Sequence, residues 1–120
     1  MKTSNLIAFV LLIVALSCKK KEEYISPDAP DCIKAKIAQL QQEPVRNPPS
    51  SVSKFRSNGQ DYFYIPPFCC DQFSELYDDK CTLICSPDGG FSGSGDGRCG
   101  DIIKNISSLK VIIWEDSRKR

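Results

Sequence analysis

The feature that most constrains this chain is a segment rich in cysteine and glycine, from Pro66 to Cys99. It contains five of the seven cysteines and five of the seven glycines, and almost no branched aliphatic side chains. A segment of this composition cannot bury enough apolar surface to order itself, so covalent cross-links must hold it together. We therefore expect a small fold that is stapled by disulfide bonds.

The cysteines form an even set once Cys18 is set aside: Cys32, Cys69, Cys70, Cys81, Cys85 and Cys99. The sequence alone does not choose among the possible pairings. A bond between the neighbours Cys69 and Cys70 would close a strained ring, so we expect each of them to take a distant partner. We expect Cys85 to pair with Cys99 across the glycine loop. Cys32 and Cys81 would then take the two neighbours, in an order that stays open.

Metal binding and redox chemistry are the alternatives for these cysteines. The chain has no histidine and no C-x-x-C pair, whereas zinc modules and thioredoxin-like sites use close ligand pairs. Asp88 and Asp96 bracket the glycine loop and are candidate calcium ligands, with the capping of turns as the alternative. Without histidine, the usual base for a serine nucleophile is missing. The sequence therefore predicts no catalytic residue, no cofactor and no enzyme activity.

The N-terminus has the pattern of an export signal. An apolar run from Leu6 to Leu16 follows a short segment with one lysine, and this run is too short to span a bilayer. We therefore predict a signal peptide over residues 1–17. Cys18, directly after a small residue, resembles the lipobox cysteine of bacterial lipoproteins, which is lipidated and becomes the first residue of the mature chain. Anchoring through several acyl chains on Cys18 would be stable.

The residues after Cys18 bear on the compartment. Lys21-Glu22-Glu23 resembles the signal that sends Bacteroidota lipoproteins to the outer face of the outer membrane. The alternative is a solvated charge run that keeps a tether extended. We predict a lipid-anchored, surface-exposed protein of the outer membrane, with an anchor that faces the periplasm as the alternative.

The mature chain has room for one small domain. We predict a flexible lipidated tether over residues 18–30, a cysteine-rich domain over residues 31–117 and a basic tail over residues 118–120. Asp31 is the predicted N-cap of a helix from Cys32 to Gln42. The apolar side chains of this helix recur on one face, which must be buried: Ile33, Ile37 and Leu40.

Two strand signals follow the predicted helix along the chain. Asn58-Gly59 predicts a tight hairpin between Ser51–Arg56 and Asp61–Ile65, with Arg56 opposite Asp61. A last strand over Leu109–Glu115 is apolar on both faces, which predicts a central or well-covered position. The predicted fold class is α+β: one N-terminal helix packed on a small antiparallel sheet of about three strands, with a disulfide-rich loop excursion.

Four blocks of the sequence, DCIKAKI, YIPPFCCDQFSELYD, CxxxCxPDGGFSGSGDGRC and IIWED, resemble a family of small Bacteroidota lipoproteins with a cysteine-rich domain of unknown function. The resemblance covers about Asp31 to Asp116. It implies lipoprotein status, and it implies no activity, cofactor or site residue.

The charge distribution limits the class of partner. Asp61 to Asp101 contains eight acidic residues against Lys80 and Arg98, and nucleic-acid binding needs concentrated basic residues instead. We therefore expect no nucleic acid as a partner. The expected partners are the membrane, through the lipid anchor, and an unknown protein or glycan.

Aromatic side chains in the clamped loops are the candidate binding surface: Phe68, Phe73, Tyr77 and Phe91. Rigid aromatics on a stapled scaffold are typical of binding surfaces, whereas the alternative is a small core beneath the disulfides. Two functions follow. A binding or inhibitor-like module predicts that these side chains are exposed, and a structural envelope lipoprotein without a small-molecule site predicts that they are buried.

Overall fold

A sheet of five antiparallel strands forms the centre of the protein in a computed structural model, which describes residues 23–106 and 110–119. The elements are α1 (Asp31–Leu40), β1 (Ser51–Ser57), β2 (Gln60–Ile65), β3 (Glu75–Asp78), β4 (Leu83–Cys85), a 3-10 helix (Gly100–Asn105) and β5 (Val111–Glu115). The strand order across the sheet is β4-β3-β2-β1-β5. The predicted α+β class is confirmed, but the sheet has five strands rather than about three.

The hairpin of β1 and β2 forms as its turn residues predict. Asn58 and Gly59 have φ values of 50° and 76°, the left-handed conformation that a two-residue hairpin loop requires. Arg56 lies opposite Asp61, as predicted, and its Nε donates to the Asp61 carboxylate at 2.7 Å. The turn therefore sets the register of the central strand pair.

The two additional strands come from the cysteine-rich excursion. β3 pairs with β2 and β4 pairs with β3, so part of the predicted loop extends the sheet. Residues of β3 alternate between half-buried and buried, which is the period of a strand covered on one face. This alternation covers only four residues, which is why the sequence analysis missed it.

α1 packs across one face of the sheet. Ile33, Ile37 and Leu40 are buried as predicted, and they join a core that includes Phe63 and Trp114. The predicted N-cap is wrong, because the helix already includes Asp31, Pro30 takes the cap position, and no side chain caps the helix start. Proline suits this boundary because it lacks the N–H group that a helix start leaves unpaired.

The opposite face of the sheet has a second core. It is built from β1, β2 and β3 side chains and the cystine of Cys85 and Cys99, with isoleucines of the 3-10 helix against it: Phe55, Tyr62, Tyr64, Leu76, Ile102 and Ile103. The sheet is thus covered on both faces, by α1 on one and by the cystine and the 3-10 helix on the other.

β5 lies at an edge of the sheet, so the prediction of a central or well-covered position is wrong for half of its apolar side chains. Only Ile113 and Trp114 are buried, whereas Val111 and Ile112 are exposed. Residues of the predicted tether pack against this edge strand. The Ser26 N–H donates to the Ile113 carbonyl at 3.1 Å, and Ala29 is buried. The ordered fold therefore begins before Asp31, and residues 23–30 do not form a free tether.

A residue of the predicted basic tail, Arg118, binds the C-terminal end of α1. The Arg118 guanidinium donates to the carbonyls of Gln41 and Glu43 at 2.7 and 3.1 Å, and it also donates to the buried Asp116 carboxylate at 2.7 Å. Carbonyls at the end of a helix lack partners within the helix. Arg118 therefore ties the end of the chain to the end of the helix.

Candidate functional site

The six predicted disulfide cysteines lie at disulfide distance in three pairs. Cys85 pairs with Cys99, as expected, with their Cα atoms 5.3 Å apart. Cys32 pairs with Cys81, with Cα atoms 6.1 Å apart, and Cys69 pairs with its neighbour Cys70. The expectation that Cys69 and Cys70 take distant partners is wrong in this structure.

The position of Cys32 and Cys81 explains this difference. Cys32 lies at the start of α1 and Cys81 in the turn between β3 and β4. Cys69 and Cys70 follow the C-terminal end of β2, at the other end of the sheet. The two distant cysteines that the vicinal pair needed are thus at the far end of the sheet and bonded to each other. Cys70 has a φ of 61°, and both vicinal cysteines are exposed.

The strand registers place two segments of the excursion, residues 66–74 and 86–99, at one end of the sheet. Ile65 at the end of β2 lies opposite Glu75 at the start of β3, and Leu76 lies opposite Cys85 at the end of β4. The segments that leave these strands therefore emerge together, including the loop that carries Phe91. We call this end of the sheet, which carries Phe68, Phe73 and Phe91, the aromatic end.

Three of the four predicted binding aromatics are exposed at the aromatic end. The exposed fractions are 50% for Phe68, 52% for Phe73 and 96% for Phe91. Tyr77 differs, because it is half-buried against the core beneath α1. Its hydroxyl donates to Glu75 at 2.6 Å. The structure therefore brings the three phenylalanines to one end and leaves Tyr77 out of that surface.

Phe68 and Phe73 line a small groove of about 100 Å³ beside the C-terminal end of α1. The Arg46 guanidinium lies over the Phe68 ring at 4.4 Å from its centroid, a cation–π contact. Arg46 also pairs with Glu43. Arg46, which the sequence analysis did not single out, thus fixes one wall of the groove.

A second ion pair closes the groove towards the sheet. Lys36 Nζ lies 3.0 Å from Glu75 Oε2. Burial alone would raise the pKa of Glu75, but the hydrogen bonds from Tyr77 and Lys36 outweigh burial and lower it. The carboxylate stays charged and occupied by its own neighbours, which suits a structural role better than acid–base chemistry.

The glycine loop that carries Phe91 has a closely packed backbone. A Cβ on Gly90 would lie 2.5 Å from the Phe73 ring, and a Cβ on Gly95 would lie 2.0 Å from the Ser86 carbonyl oxygen. Both glycines have φ values above 70°, a conformation that other residues adopt at a cost. The Gly93 N–H donates to the Gly90 carbonyl at 3.1 Å, so Phe91 stands at the tip of a tight turn.

The two calcium candidates are engaged by protein groups. Asp88 accepts a hydrogen bond from the Tyr64 hydroxyl at 2.8 Å, and Asp96 accepts from Arg98 Nε at 2.7 Å. Within residues 23–106 and 110–119, no group of three or more acidic, cysteine or histidine side chains is placed to hold a metal ion. Asp88 thus ties its loop to β2, whereas Asp96 also accepts from the Arg98 backbone N–H at 3.0 Å within its own turn.

Cys18 and the predicted signal peptide lie outside the described residues. In the part of the chain that is described, no helix is long and apolar enough to cross a bilayer. Glu23, the last residue of the predicted export signal, accepts hydrogen bonds from the Gln41 side chain at 2.9 Å and from the Ser117 backbone. The described chain therefore begins beside the end of α1.

Comparison with known proteins identifies a family. Residues 38–116, more than half of the chain, match the model of a domain of unknown function, DUF6970. No curated protein and no solved structure matches the chain. The matched region runs from the last turn of α1 to the end of β5 and includes five of the six paired cysteines. The chain therefore belongs to the DUF6970 family.

Proposed function

We propose that this protein is a lipid-anchored lipoprotein of the outer membrane whose disulfide-stapled domain is a binding module rather than an enzyme. The observation that carries the proposal is the exposure of Phe68, Phe73 and Phe91 at one end of the sheet. A structural envelope protein would bury these side chains beneath the disulfides. Solvent-exposed aromatics on a fixed scaffold instead form the kind of surface that engages a partner.

The rigidity of this end supports a binding role. The backbone at Gly90 and Gly95 packs so closely against Phe73 and Ser86 that a side chain at either position would collide, and the cystine of Cys85 and Cys99 closes the loop. A surface that is ordered before its partner arrives loses less conformational entropy on binding. The proposed partners are a membrane, protein or glycan surface.

Site-specific photo-crosslinking on intact cells tests the binding role. A photoreactive phenylalanine analogue at position 91 should give adducts, because Phe91 is the most exposed aromatic side chain described. The same analogue at Gln60, exposed at the hairpin end of the sheet, is the matched control. Equal absence of adducts at both positions would favour the structural envelope protein.

Acyl labelling tests the anchor. Cys18→Ser should abolish incorporation of a labelled fatty acid and leave unprocessed precursor, because the cysteine sulfur is the proposed lipidation site. Unchanged labelling of the Cys18→Ser variant would contradict the anchor.

The export signal needs a test that spares the fold. Because Glu23 binds Gln41 and Ser117, its replacement would disturb packing as well as sorting. Lys21→Ala with Glu22→Ala should lower protease access on intact cells at constant total protein. Equal access would assign these charges to the tether alone.

A further inference from the structure

We infer that the aromatic end of the domain docks on the membrane that holds its lipid anchor, with Phe91 entering the interfacial region of the lipid. This inference rests on the proposed anchor at Cys18 and names the partner of the proposed binding surface. It follows from where the described chain begins, how short the segment to Cys18 is, and what the nearest end of the sheet exposes.

The chain enters the fold at the aromatic end. Glu23 contacts Gln41, at the C-terminal end of α1, and Ser117, just after β5. Glu115 at the end of β5 lies opposite Ser51 at the start of β1. The starts of β1 and β3 and the ends of β2, β4 and β5 therefore share one end of the sheet with the entry of the chain.

The hairpin of β1 and β2 lies at the other end. β1 runs for seven residues from Ser51 to Ser57, which at about 3.3 Å per residue separates its ends by roughly 20 Å. The loops beyond the aromatic end, which carry Phe68 and Phe91, project away from the hairpin. Glu23, at the β5 edge of the sheet, is thus closer to the aromatic end than to Asn58 and Gly59, and the loop with Phe91 follows β4 at the other edge of the same end.

The segment between the anchor and the fold is short. Cys18 lies five residues before Glu23, and a fully extended chain spans at most about 3.5 Å per residue, so the reach is roughly 17 Å. A chain of this length holds the entry end of the domain beside the lipid surface. This reach is shorter than the roughly 20 Å between the two ends of β1, so the aromatic end is the end that the anchor keeps near the lipid.

The chemistry of the aromatic end fits a lipid interface. Gly90 to Gly95 contains no charged residue, so the tip with Phe91 can enter the interface without burying an unpaired charge. Aromatic side chains are favoured where lipid headgroups meet acyl chains.

Fluorescence quenching by brominated lipids tests the orientation. The mature lipidated chain is reconstituted in vesicles of phosphatidylethanolamine and phosphatidylglycerol, as wild type and as Phe91→Trp and Gln60→Trp variants. The buried Trp114 contributes equally to all three samples and is subtracted with the wild type. Tryptophan at position 91 should shift its emission to the blue and be quenched at least about twofold more than tryptophan at position 60.

The outcomes separate this inference from the proposed function. Equal quenching at positions 91 and 60, in chains that float with the vesicles, would overturn membrane docking and leave the anchor intact. In that case, protein adducts at position 91 in the crosslinking experiment would identify a protein partner instead. A wild-type chain that fails to float would overturn the anchor and the docking together. Thermal melts of each variant confirm its fold, which substitutions at two exposed positions should preserve.

Discussion

The hydroxyl of Tyr64 donates a 2.8 Å hydrogen bond to the carboxylate of Asp88 and thereby joins β2 to the loop that carries Phe91. Tyr64 lies in the second core of the sheet. A tyrosine hydroxyl is a donor at neutral pH, and burial first, and then the neighbouring Asp88 carboxylate, raise the pKa of the Tyr64 hydroxyl further. This bond, together with the bonds between Ser74 and Asp88, holds the base of the glycine loop on the sheet.

Tyr64→Phe should therefore lower the free energy of unfolding by about 1–2 kcal/mol, because the Asp88 carboxylate loses a partner that water replaces only in part. The matched control is Tyr62→Phe, since the Tyr62 hydroxyl makes only a 3.4 Å contact with Gln60. Urea denaturation of both variants measures the difference. Equal losses in the two variants would contradict a special role for the Tyr64 bond.

Gly95→Ala should destabilise the domain much more than Gly93→Ala. Both glycines have positive φ values, so alanine at either position costs about 1–2 kcal/mol in backbone conformation. A Cβ at Gly95 would also collide with the Ser86 carbonyl, whereas a Cβ at Gly93 meets nothing within 4 Å. Thermal denaturation should show a clear additional loss for Gly95→Ala, and similar melting of the two variants would show that the loop can yield.

The cystine of Cys69 and Cys70 should be reduced before the cystine of Cys85 and Cys99. Both vicinal cysteines are exposed, whereas Cys85 and Cys99 are buried, and thiol–disulfide exchange requires that the attacking thiolate reach a sulfur atom. Limited treatment with a dithiol, alkylation and peptide mass spectrometry give the order. First labelling of Cys85 and Cys99 would contradict their burial.

Stability should fall in acid partly through Asp116. The hydrogen bond from Arg118 lowers the pKa of the buried Asp116 carboxyl. Because the pKa is lower in the folded than in the unfolded chain, the stabilisation is complete above the unfolded value of about 3.9 and is lost as the pH falls through the folded value. Between roughly pH 6 and pH 2, the wild type should therefore lose more stability than Asp116→Asn, as measured by thermal melts across this range.

Asp101→Asn is the control for this pH dependence. Asp101 forms an ion pair with Lys104 in which both side chains are exposed, and such a pair contributes little. Its acid profile should match that of the wild type in thermal melts across the same range. Parallel profiles for wild type and Asp116→Asn would show that the Arg118 contact is not linked to protonation.

Local signals in the sequence determined the helix, the central hairpin and the need for cross-links. Three apolar residues at helical spacing identify the buried face of α1, and Asn58-Gly59 alone sets the register between Arg56 and Asp61, because both depend on contacts between residues close in the chain. The shortage of aliphatic side chains between Pro66 and Cys99 likewise requires covalent support. The exposed candidates Phe68, Phe73 and Phe91 could be named from their place in these loops.

Only the tertiary structure decided how the distant parts meet. The pairing of Cys69 with Cys70, the edge position of β5, the burial of Tyr77 and the contacts of Arg118 with α1 all depend on which strands lie side by side. That order is set by packing between residues far apart in the chain, for which a single sequence carries no local signal. The same packing places the start of the described chain beside the aromatic end. The pairing of β5 with β1 puts the end of β5 at that end of the sheet, and Glu23 binds Ser117 just after β5.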